Sequence, residues 1–446
     1  MDPYLGYEIA LLAVLVYAGI VYALWATGRI GPDRTFSLLG PALMIKTKKG
    51  RSALDRWGRF VRFWTAAGDV GIALAAAAMA LIVVLLVLGA IESFRLTPST
   101  APSPSEALGL PGINPIIPLG YGIVALVVGV VLHELMHGVL ARSQKIGVKS
   151  LGVLWCVIPV GAFVEQDDAE MQAASRRRRD RVAAAGVLAN FLLAVVFFAA
   201  VALLVASAVQ PNASGVGVAA VEPNTPAGNN STIVAGDIIT SVNGTSTSSV
   251  DLFESALAAT HPGQNVTLGV YDPALGHVTN LTVTLAPSPS VQGRGYLGVK
   301  IYALTPSELK QTLVWPWGSS SGPLVGTVDW IVLPLAMIEP ISGSTSGFFH
   351  LSGPFAHTDP NDFWLGANLL YWLSWMSLLL GLSNSLPLVP LDGGLLFRDF
   401  AQSFAARVKS GWDAARLDRF GGRAAAVSSV VVLVLLVWQF VVPRLL

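Results

Sequence analysis

The sequence predicts a mainly α-helical, polytopic membrane protein with about six transmembrane helices and one inserted extracytoplasmic α+β domain. Three observations lead to this fold class. Of the 446 residues, 53% are hydrophobic and only 12% are charged, which is typical of a membrane protein and not of a soluble enzyme. Apolar runs of about 20 residues, the length needed to cross a ~30 Å hydrocarbon core, recur along the chain. Basic residues are concentrated in alternate loops between these runs.

The predicted spans begin close to the first residue. The first apolar run is preceded by Asp2 and Glu8, has no cationic leader and is too long for a signal sequence, so we expect a retained helix. The single cysteine, Cys156, excludes an internal disulfide and a zinc site built from cysteines. Nothing in the composition supports nucleic-acid binding. The apolar runs lie near residues 8–27, 70–91, 116–141, 182–209, 363–390 and 425–445.

The loops between the spans divide by charge. Lysine and arginine are frequent in residues 29–68, 142–181 and 398–423 and are nearly missing from the other loops. We expect the protein to lie in the cell membrane. The positive-inside rule then places these three segments in the cytoplasm, and it places the N-terminus and residues 92–115 and 210–362 on the outer side. Sequons of the N-x-S/T type agree with this orientation, because all of them lie in the outer segment: at Asn212, Asn229, Asn230, Asn243, Asn265 and Asn280.

The third span contains the motif H-E-x-x-H. His133 and His137 are four residues apart, so on a helix they share one face and can bind one Zn²⁺, with Glu134 beside them as a general base. The alternative is that these side chains only pack within a helix bundle. An ionisable residue in an apolar span is costly unless it has a function, and this favours the metal site.

Residues 214–300 are predicted to form a separate soluble domain. Strand-like segments surround a helix-like segment, VDLFESALAAT, and the pair Asn243–Gly244 is a hairpin signal. This order resembles a PDZ domain, with Gly215 and Gly217 at the position of the loop that binds a peptide carboxylate. The resemblance implies a peptide tail as a ligand, bound by strand addition. The alternative is a domain that only blocks access sterically.

The next segment, residues 303–362, is predicted to lie on the outer face of the membrane. Trp315, Trp317 and Trp330 are of the type that anchors a chain at the membrane interface. The apolar run from Val325 to Ile338 is short for a span. A full span here would also break the alternation of charge, so we expect an interfacial segment.

The end of the fifth span offers a third metal ligand. Its sequence, GLSNSLPLVPLDGG, breaks an apolar helix with prolines and glycines, and broken backbone at membrane depth is tolerated only where protein or a cavity covers it. The four other histidines lie in segments predicted to be outside, so we expect a carboxylate, and Asp392 lies at the depth of His133 and His137. Two nitrogens and one carboxylate leave one tetrahedral position open. The alternative is a helix-ending Asp-Gly turn at the membrane surface.

Taken together, HELMHG and NSLPLVPLDGG resemble the site-2 protease family of intramembrane metalloproteases. Two further stretches agree with this resemblance: Ala183–Asn190 opens the span after the H-E-x-x-H helix, and Gly161–Glu165 is similar to the family's edge strand. The family resemblance implies cleavage of peptide bonds within or near the transmembrane segments of membrane-anchored proteins, known as regulated intramembrane proteolysis. The topology predicted from the charged loops puts the active site towards the cytoplasmic side of the bilayer.

The resemblance carries over to individual residues. It implies His133, His137 and Asp392 as ligands of one Zn²⁺, Glu134 as the catalytic residue, and Asn384, Gly161 and Phe163 as substrate-binding residues, in addition to Gly215 and Gly217 of the PDZ-like domain. Three other functions stay open: a membrane scaffold or receptor that uses the PDZ-like domain without catalysis, a different H-E-x-x-H membrane zinc protease, and a zinc or ion transporter. The transporter would need more intramembrane carboxylates and histidines than the spans supply.

The predicted organisation has six parts. Residues 1–115 form a two-span region with a basic cytoplasmic loop, 116–210 the first half of the protease core, 211–302 the PDZ-like domain, 303–362 the outer interfacial segment, 363–400 the second half of the core, and 401–446 a basic cytoplasmic segment with the last span.

Overall fold

Long apolar helices make up most of the structure. The computed structural model describes residues 5–32, 34–98, 100–106, 109–229, 233–303 and 347–445. The helices in these residues are α1 Leu5–Ala26, α2 Arg51–Gly58, α3 Val61–Glu92, α4 Leu119–Ser143, α5 Asp168–Ala173, α6 Arg176–Ala208, α7 Pro226–Asn229, α8 Val250–Ala258, α9 Pro360–Asn384, α10 Asp392–Val408 and α11 Ala414–Leu445.

The strands are shorter and fall into two main sheets. They are β1 Phe36–Leu39, β2 Ala42–Thr47, β3 Val148–Cys156, β4 Ile158–Gln166, β5 Val209–Pro211, β6 Val216–Val221, β7 Ile238–Val242, β8 Thr245–Ser246, β9 Asn265–Asp272, β10 His277–Thr284, β11 Ala286–Pro287, β12 Gly295–Tyr296, β13 Val299–Ala303 and β14 Phe349–Leu351.

Five of the helices are long and apolar enough to cross a membrane: α3, α4, α6, α9 and α11. They coincide with five of the predicted spans, so the prediction of a mainly helical, multi-pass integral membrane protein is confirmed. The remaining predicted span lies in α1, whose apolar stretch Leu11–Ala26 is shorter than this length. The count of about six spans therefore stays a prediction.

The chain divides into two compact units, residues 1–195 with 373–446, and residues 196–372. The first unit contains a four-stranded antiparallel sheet in the order β1-β2-β3-β4. In the described part of the chain, β4 pairs only with β3, with Val164 opposite Leu151 and Ala162 opposite Val153. The stretch predicted to be an edge strand therefore is one. The hairpin β1–β2, which widens this sheet, was not predicted.

An apolar core joins this sheet to the helix with the H-E-x-x-H motif. Leu54 of α2, Leu140 of α4, Ile146, Val164 of β4 and Val182 of α6 are all buried in one cluster. Small residues on α4 let its neighbours approach closely. At Gly138, directly after the motif, a Cβ atom would lie 2.8 Å from the Leu54 side chain and 3.2 Å from that of Val164. The core therefore holds β4 against the C-terminal part of α4.

The helix predicted over residues 363–390 is shorter in the structure, because α9 ends at Asn384. Prolines 387 and 390 follow, and neither can continue a helix without loss of a backbone donor. The next helix, α10, begins at Asp392, and a Cβ on Gly393 or Gly394 would overlap the backbone of residues 385–389. These two glycines let the start of α10 pack directly on the broken segment.

The second unit contains the predicted soluble domain. Its sheet has the order β10-β9-β7-β6-β13, with β8 paired to β7, and α8 lies where the sequence predicts a helix. Asn243 and Gly244 both have positive φ, 50° and 79°, and they join β7 to β8 as the predicted hairpin. The α+β character is thus present, whereas the likeness to a PDZ domain stays a prediction.

Most of the predicted interfacial segment lies outside the described residues, including Trp315, Trp317, Trp330 and the run from Val325 to Ile338. From residue 347 onwards, β14 pairs antiparallel with β5, and Asn212, directly after β5, donates hydrogen bonds to the carbonyl oxygens of Phe348 and Gly347. The sequon at Asn230 also lies outside the described residues.

Candidate active site

Helix α4 brings the two histidines of the motif to one buried point. His133 and His137 are each 7% exposed, and their Nε2 atoms lie 3.1 Å apart. Their four-residue spacing on a helix accounts for this approach. The sequence prediction that these side chains share one face is confirmed.

The other ring nitrogen of each histidine is occupied by helix α6. His137 Nδ1 lies 2.7 Å from the carbonyl oxygen of Val182, so Nδ1 carries the hydrogen and donates it. The Nε2 atom of a neutral imidazole then keeps a free lone pair. His133 Nδ1 lies 2.9 Å from Asn190 Nδ2, and with the amide turned by 180° the Asn190 oxygen accepts the hydrogen of Nδ1 in the same way. Both rings are oriented as metal-binding imidazoles usually are.

Asp392, the first residue of α10, completes the group. Its Oδ2 atom lies 3.2 Å from His133 Nε2 and 3.3 Å from His137 Nε2. This oxygen is buried, and no described group donates a hydrogen bond to it. Three atoms with lone pairs thus face one another at short range. This arrangement is unfavourable unless a cation lies between them.

The geometry of the three atoms fits a tetrahedral metal ion. Ligand bonds of about 2.0–2.1 Å at tetrahedral angles place ligand atoms about 3.3 Å apart. The three distances in the structure, 3.1, 3.2 and 3.3 Å, agree with this value. Among the described residues, His133, His137 and Asp392 are the cluster that could hold a metal ion. Three protein ligands leave the fourth position open, as in catalytic zinc sites.

Glu134 lies beside this cluster and is not part of it. Its Oε2 accepts a hydrogen bond of 3.1 Å from the backbone N–H of Val164, on strand β4. Glu134, His137 and Asp392 together line a cavity of about 720 Å³. A carboxylate that is held in place next to a metal site and open to a cavity can act as a general base.

The substrate-binding residues predicted from the resemblance lie apart from this cavity. Asn384 is the last residue of α9, and its side-chain N–H donates to the carbonyl of Leu380 at 3.0 Å. Gly161 and Phe163 both lie on β4, and the Phe163 ring packs over Gly152 of the neighbouring strand. None of these three residues lines the cavity at Glu134. Their roles in substrate binding stay predictions.

The two glycines of the soluble domain do not form an open loop. Gly217 lies within β6 and is paired on both sides, with Ile238 of β7 and Tyr302 of β13. A Cβ at Gly217 would meet the ring of Phe348, and one at Gly215 would meet the backbone of Ile239. An added peptide strand cannot pair with β6 at Gly217, because its backbone partners are already present. The expected carboxylate loop at Gly215 and Gly217 is therefore not found.

Three residues of α6 support the site without having been assigned a role from the sequence. They are Val182 and Asn190, which contact the histidine rings, and Gly186, where a Cβ would overlap the ring of His133. A signal for two of them was present: a glycine and an asparagine four residues apart in an otherwise apolar span lie on one helix face. The contact of Val182 with His137 is made by a backbone carbonyl, so the type of side chain at this position does not indicate it.

Known proteins are similar to this chain over most of its length. An "uncharacterized protein" of Methanocaldococcus jannaschii is 25% identical over 366 residues, which cover 82% of this chain and 79% of the relative. A protein of Clostridium perfringens named "putative zinc metalloprotease" is 27% identical over 297 residues, which cover 64% of this chain and 83% of the relative.

The family model of Peptidase family M50 matches residues 121–415. This range contains the H-E-x-x-H helix, the helix that orients both histidines and the start of α10 with Asp392. The chain therefore belongs to peptidase family M50, the site-2 protease family of membrane metalloproteases.

Proposed function

We propose that this protein is an intramembrane zinc metalloprotease, which hydrolyses a peptide bond within or near a transmembrane segment of a membrane-anchored protein. Such an activity would serve regulated intramembrane proteolysis. One observation carries the proposal: the Nε2 atoms of His133 and His137 and the Oδ2 atom of Asp392 lie 3.1–3.3 Å from one another, with Glu134 beside them. The two histidines belong to a helix that is apolar enough to span a membrane.

His133, His137 and Asp392 would hold one Zn²⁺. Bound there, the ion would supply Lewis-acid activation of a water molecule and of the scissile carbonyl group. The Val182 carbonyl and the Asn190 amide keep the two imidazoles oriented, which supports their role as ligands.

Glu134 would act as the general base and then as the general acid. In the first step its carboxylate accepts the proton of the attacking water, and in the second it delivers that proton to the leaving amine. The hydrogen bond from Val164 N–H holds the Glu134 side chain near the ligands while leaving its other oxygen for the reaction. Asn384 is a further candidate donor to the substrate carbonyl, provided that its side chain turns away from Leu380.

The substrate backbone would bind along the free edge of β4. A helical substrate has no free carbonyl for attack, so it must unwind, and an extended segment can pair with an open sheet edge. Val164 directs its N–H away from β3 and towards Glu134. In an antiparallel strand alternate residues point their backbone groups to the same edge, so Ala162 offers the next outward N–H group. A strand paired at Ala162 would pass directly beside Glu134.

The orientation of the chain is part of the proposal. The loops rich in lysine and arginine would be cytoplasmic, which puts the N-terminus and the soluble domain outside and the metal site towards the cytoplasmic side. Water and the released fragment would then use the cavity at Glu134. The soluble domain would contact the outer part of the substrate, and a peptide tail bound at a sheet edge other than β6 is one way to do so.

Replacing Glu134 with Gln tests the chemistry. The variant keeps the three ligands, so it should bind one zinc per chain like the wild type, while cleavage of single-span membrane proteins should fall by at least a hundredfold. Single-span proteins that accumulate uncut in cells with the variant identify the substrates. Cleavage at the wild-type rate by the Glu134→Gln protein would contradict the role given to Glu134. Unchanged biological activity of a variant that no longer cleaves would favour a scaffold.

A further inference from the structure

The helix that carries the third ligand is not continuous with any other element of the site. Asp392 is the first residue of α10, which follows the non-helical residues 385–391. Leu396, one turn further on, is fully buried in a cluster with Ala75, Met79 and Ala184. Apolar contacts of this kind have no preferred direction, so a directional contact would define the rotation and sliding of the helix more exactly.

An ion pair between α6 and α10, of which the Asp399 side chain is buried, is a directional contact of this kind. The guanidinium of Arg179, on α6, donates to Asp399 Oδ2 twice, with its Nη2 at 3.0 Å and its Nε at 3.3 Å. Its Nη1 donates to the carbonyl of Ala174 at 3.0 Å, which fixes the guanidinium itself. The Asp399 side chain is only 10% exposed. Charge-assisted hydrogen bonds from one guanidinium are both strong and directional.

The position of this pair relates it to the metal ligands. Asp399 follows Asp392 by seven residues, about two helical turns, so the two carboxylates lie on the same face of α10. Arg179 precedes Val182 by three residues, about one turn of α6, and the Val182 carbonyl holds His137. The same short stretch of α6 therefore contacts one ligand directly and the helix of another ligand through the ion pair.

No other ion pair among the described residues joins α6 to α10. The second charged pair of α10, between Arg398 and Asp418, leads to α11 and is more exposed, with 41% and 61% of the side chains accessible. Arg177 and Arg181 of α6 pair with Asp69 of α3 instead.

We propose that Arg179 and Asp399 are positioning residues for the metal site: their ion pair fixes α10 against α6 so that Asp392 meets His133 and His137. The inference rests on the proposed zinc site. Metal ligands must be held within about 0.5 Å of their bonding positions, and outer groups that orient ligands typically change metal affinity by 10–100-fold. Loss of the pair would leave all three ligands present but Asp392 displaced.

The test is the zinc affinity of the full-length protein in detergent, measured by competition with a chelator. We expect Arg179→Gln and Asp399→Asn each to bind zinc about tenfold more weakly than the wild type. The double variant Arg179→Asp with Asp399→Arg, which restores a pair with the charges exchanged, should recover most of the affinity. Arg398→Gln is the matched control, since it removes an ion pair of the same helix that does not reach α6, and its affinity should stay within about twofold of the wild type.

A second readout separates positioning from general stability. The visible absorption of Co²⁺ at the site reports ligand geometry, and it should change in Arg179→Gln and Asp399→Asn but not in Arg398→Gln. Arg179→Lys, which keeps the charge and loses the two-nitrogen contact, should lie between the wild type and Arg179→Gln. Arg179→Lys also tests the ion pair if the Asp399→Asn protein does not fold.

The inference is overturned if folded Arg179→Gln binds zinc like the wild type, or if the charge-exchanged variant folds without any recovery of affinity. Both results leave the proposed function intact. Absence of zinc from the wild-type site would instead contradict the proposed function itself.

Discussion

At the scale of single residues, the site depends on how α6 approaches the rings of α4. Val182 and Asn190 take up the outward nitrogens of His137 and His133, so both Nε2 atoms point at Asp392 with their lone pairs. Gly186 lies between these two partners and leaves room for the ring of His133. The orientation of the two histidine ligands therefore depends on residues of α6 that do not themselves bind the metal.

We predict that Gly186→Ala disables the metal site. The added methyl group overlaps the His133 ring, so the ring must move away from Asp392. Overpacking of this kind costs about 1–3 kcal/mol, and zinc affinity should fall at least tenfold. The matched control is Gly120→Ala on α4, a helical glycine with open space around it, which should keep the wild-type affinity. Equal affinity of both variants, measured by chelator competition, would rule out the role given to Gly186.

At the scale of elements, strand β4 is the part of the sheet that meets the active site. It is the edge of the sheet, it packs against α4 through Val164, and its backbone holds Glu134. The N–H of Val164 on this edge is taken by Glu134, and Ala162 has the next outward N–H before it in the chain. The edge and the general base are therefore fixed relative to each other.

We predict that Ala162→Pro lowers cleavage by about tenfold or more while the protein still folds. Proline removes the outward N–H that an added substrate strand would use, and proline is tolerated on an edge strand where the N–H faces away from the sheet. Ala162→Ser keeps the N–H and should cleave at the wild-type rate. The measurement is cleavage of a membrane substrate, with zinc content as the check on the site. Full activity of the proline variant would show that the substrate does not pair there.

Glu165 ties β4 to the rest of the sheet. Its carboxylate contacts Lys46 Nζ of β2 at 3.1 Å and accepts a hydrogen bond from Ser150 of β3. Burial raises the pKa of Glu165, but the hydrogen bonds from Ser150 and Lys46 and the charge of Lys46 outweigh it, so the pKa lies below the ordinary value. A lowered pKa means that the stabilisation is present above the ordinary glutamate pKa and is lost as the pH falls through the lowered one.

We therefore predict that Glu165→Gln destabilises the protein by about 1 kcal/mol or less at neutral pH, since the side chain is 30% exposed. The difference from the wild type should shrink on acidification through the pKa of Glu165. Thermal unfolding of both proteins across this pH range is the measurement. Asp168→Asn, which removes the same charge from an 86% exposed side chain, should show a smaller difference at neutral pH. A difference in stability between Glu165→Gln and the wild type that increases as the pH falls would contradict the lowered pKa of Glu165.

At the scale of the whole molecule, every residue of the metal site belongs to the unit formed by residues 1–195 and 373–446, although the ligands come from both of its segments. The family match over residues 121–415 makes the chain a member of peptidase family M50, and its five long apolar helices are those of a membrane protein. Its orientation rests on the distribution of lysine and arginine.

We predict that the soluble domain is outside and the basic loops are inside. In a Cys156→Ser background, a membrane-impermeant thiol reagent should label Gln292→Cys in intact cells and Lys48→Cys only after permeabilisation. Both positions are exposed in the structure. The reverse labelling pattern would invert the proposed topology.

Much of this arrangement could be predicted from the sequence, because the signals were local. The spacing of His133 and His137, the apolar runs and the break at Asp392, with prolines before it and glycines after it, are each visible within a few residues of the sequence. Asp392 could be assigned to the two distant histidines because it lies at the same predicted depth, but other contacts between distant residues could not be predicted. The contact of Arg179 with Asp399, the bond of Val164 to Glu134 and the burial of Gly217 between two strands all require residues far apart in the chain to meet.

The hydrogen bond from Val164 to Glu134 has a consequence for where a substrate would be cut. It occupies the outward donor of β4 that lies beside the general base, so a visiting strand cannot pair there and has a fixed stopping point along that edge. Backbone pairing does not depend on side chains. Unrelated membrane anchors would then be severed at a constant number of residues from the segment that pairs, whatever their sequences at the broken bond.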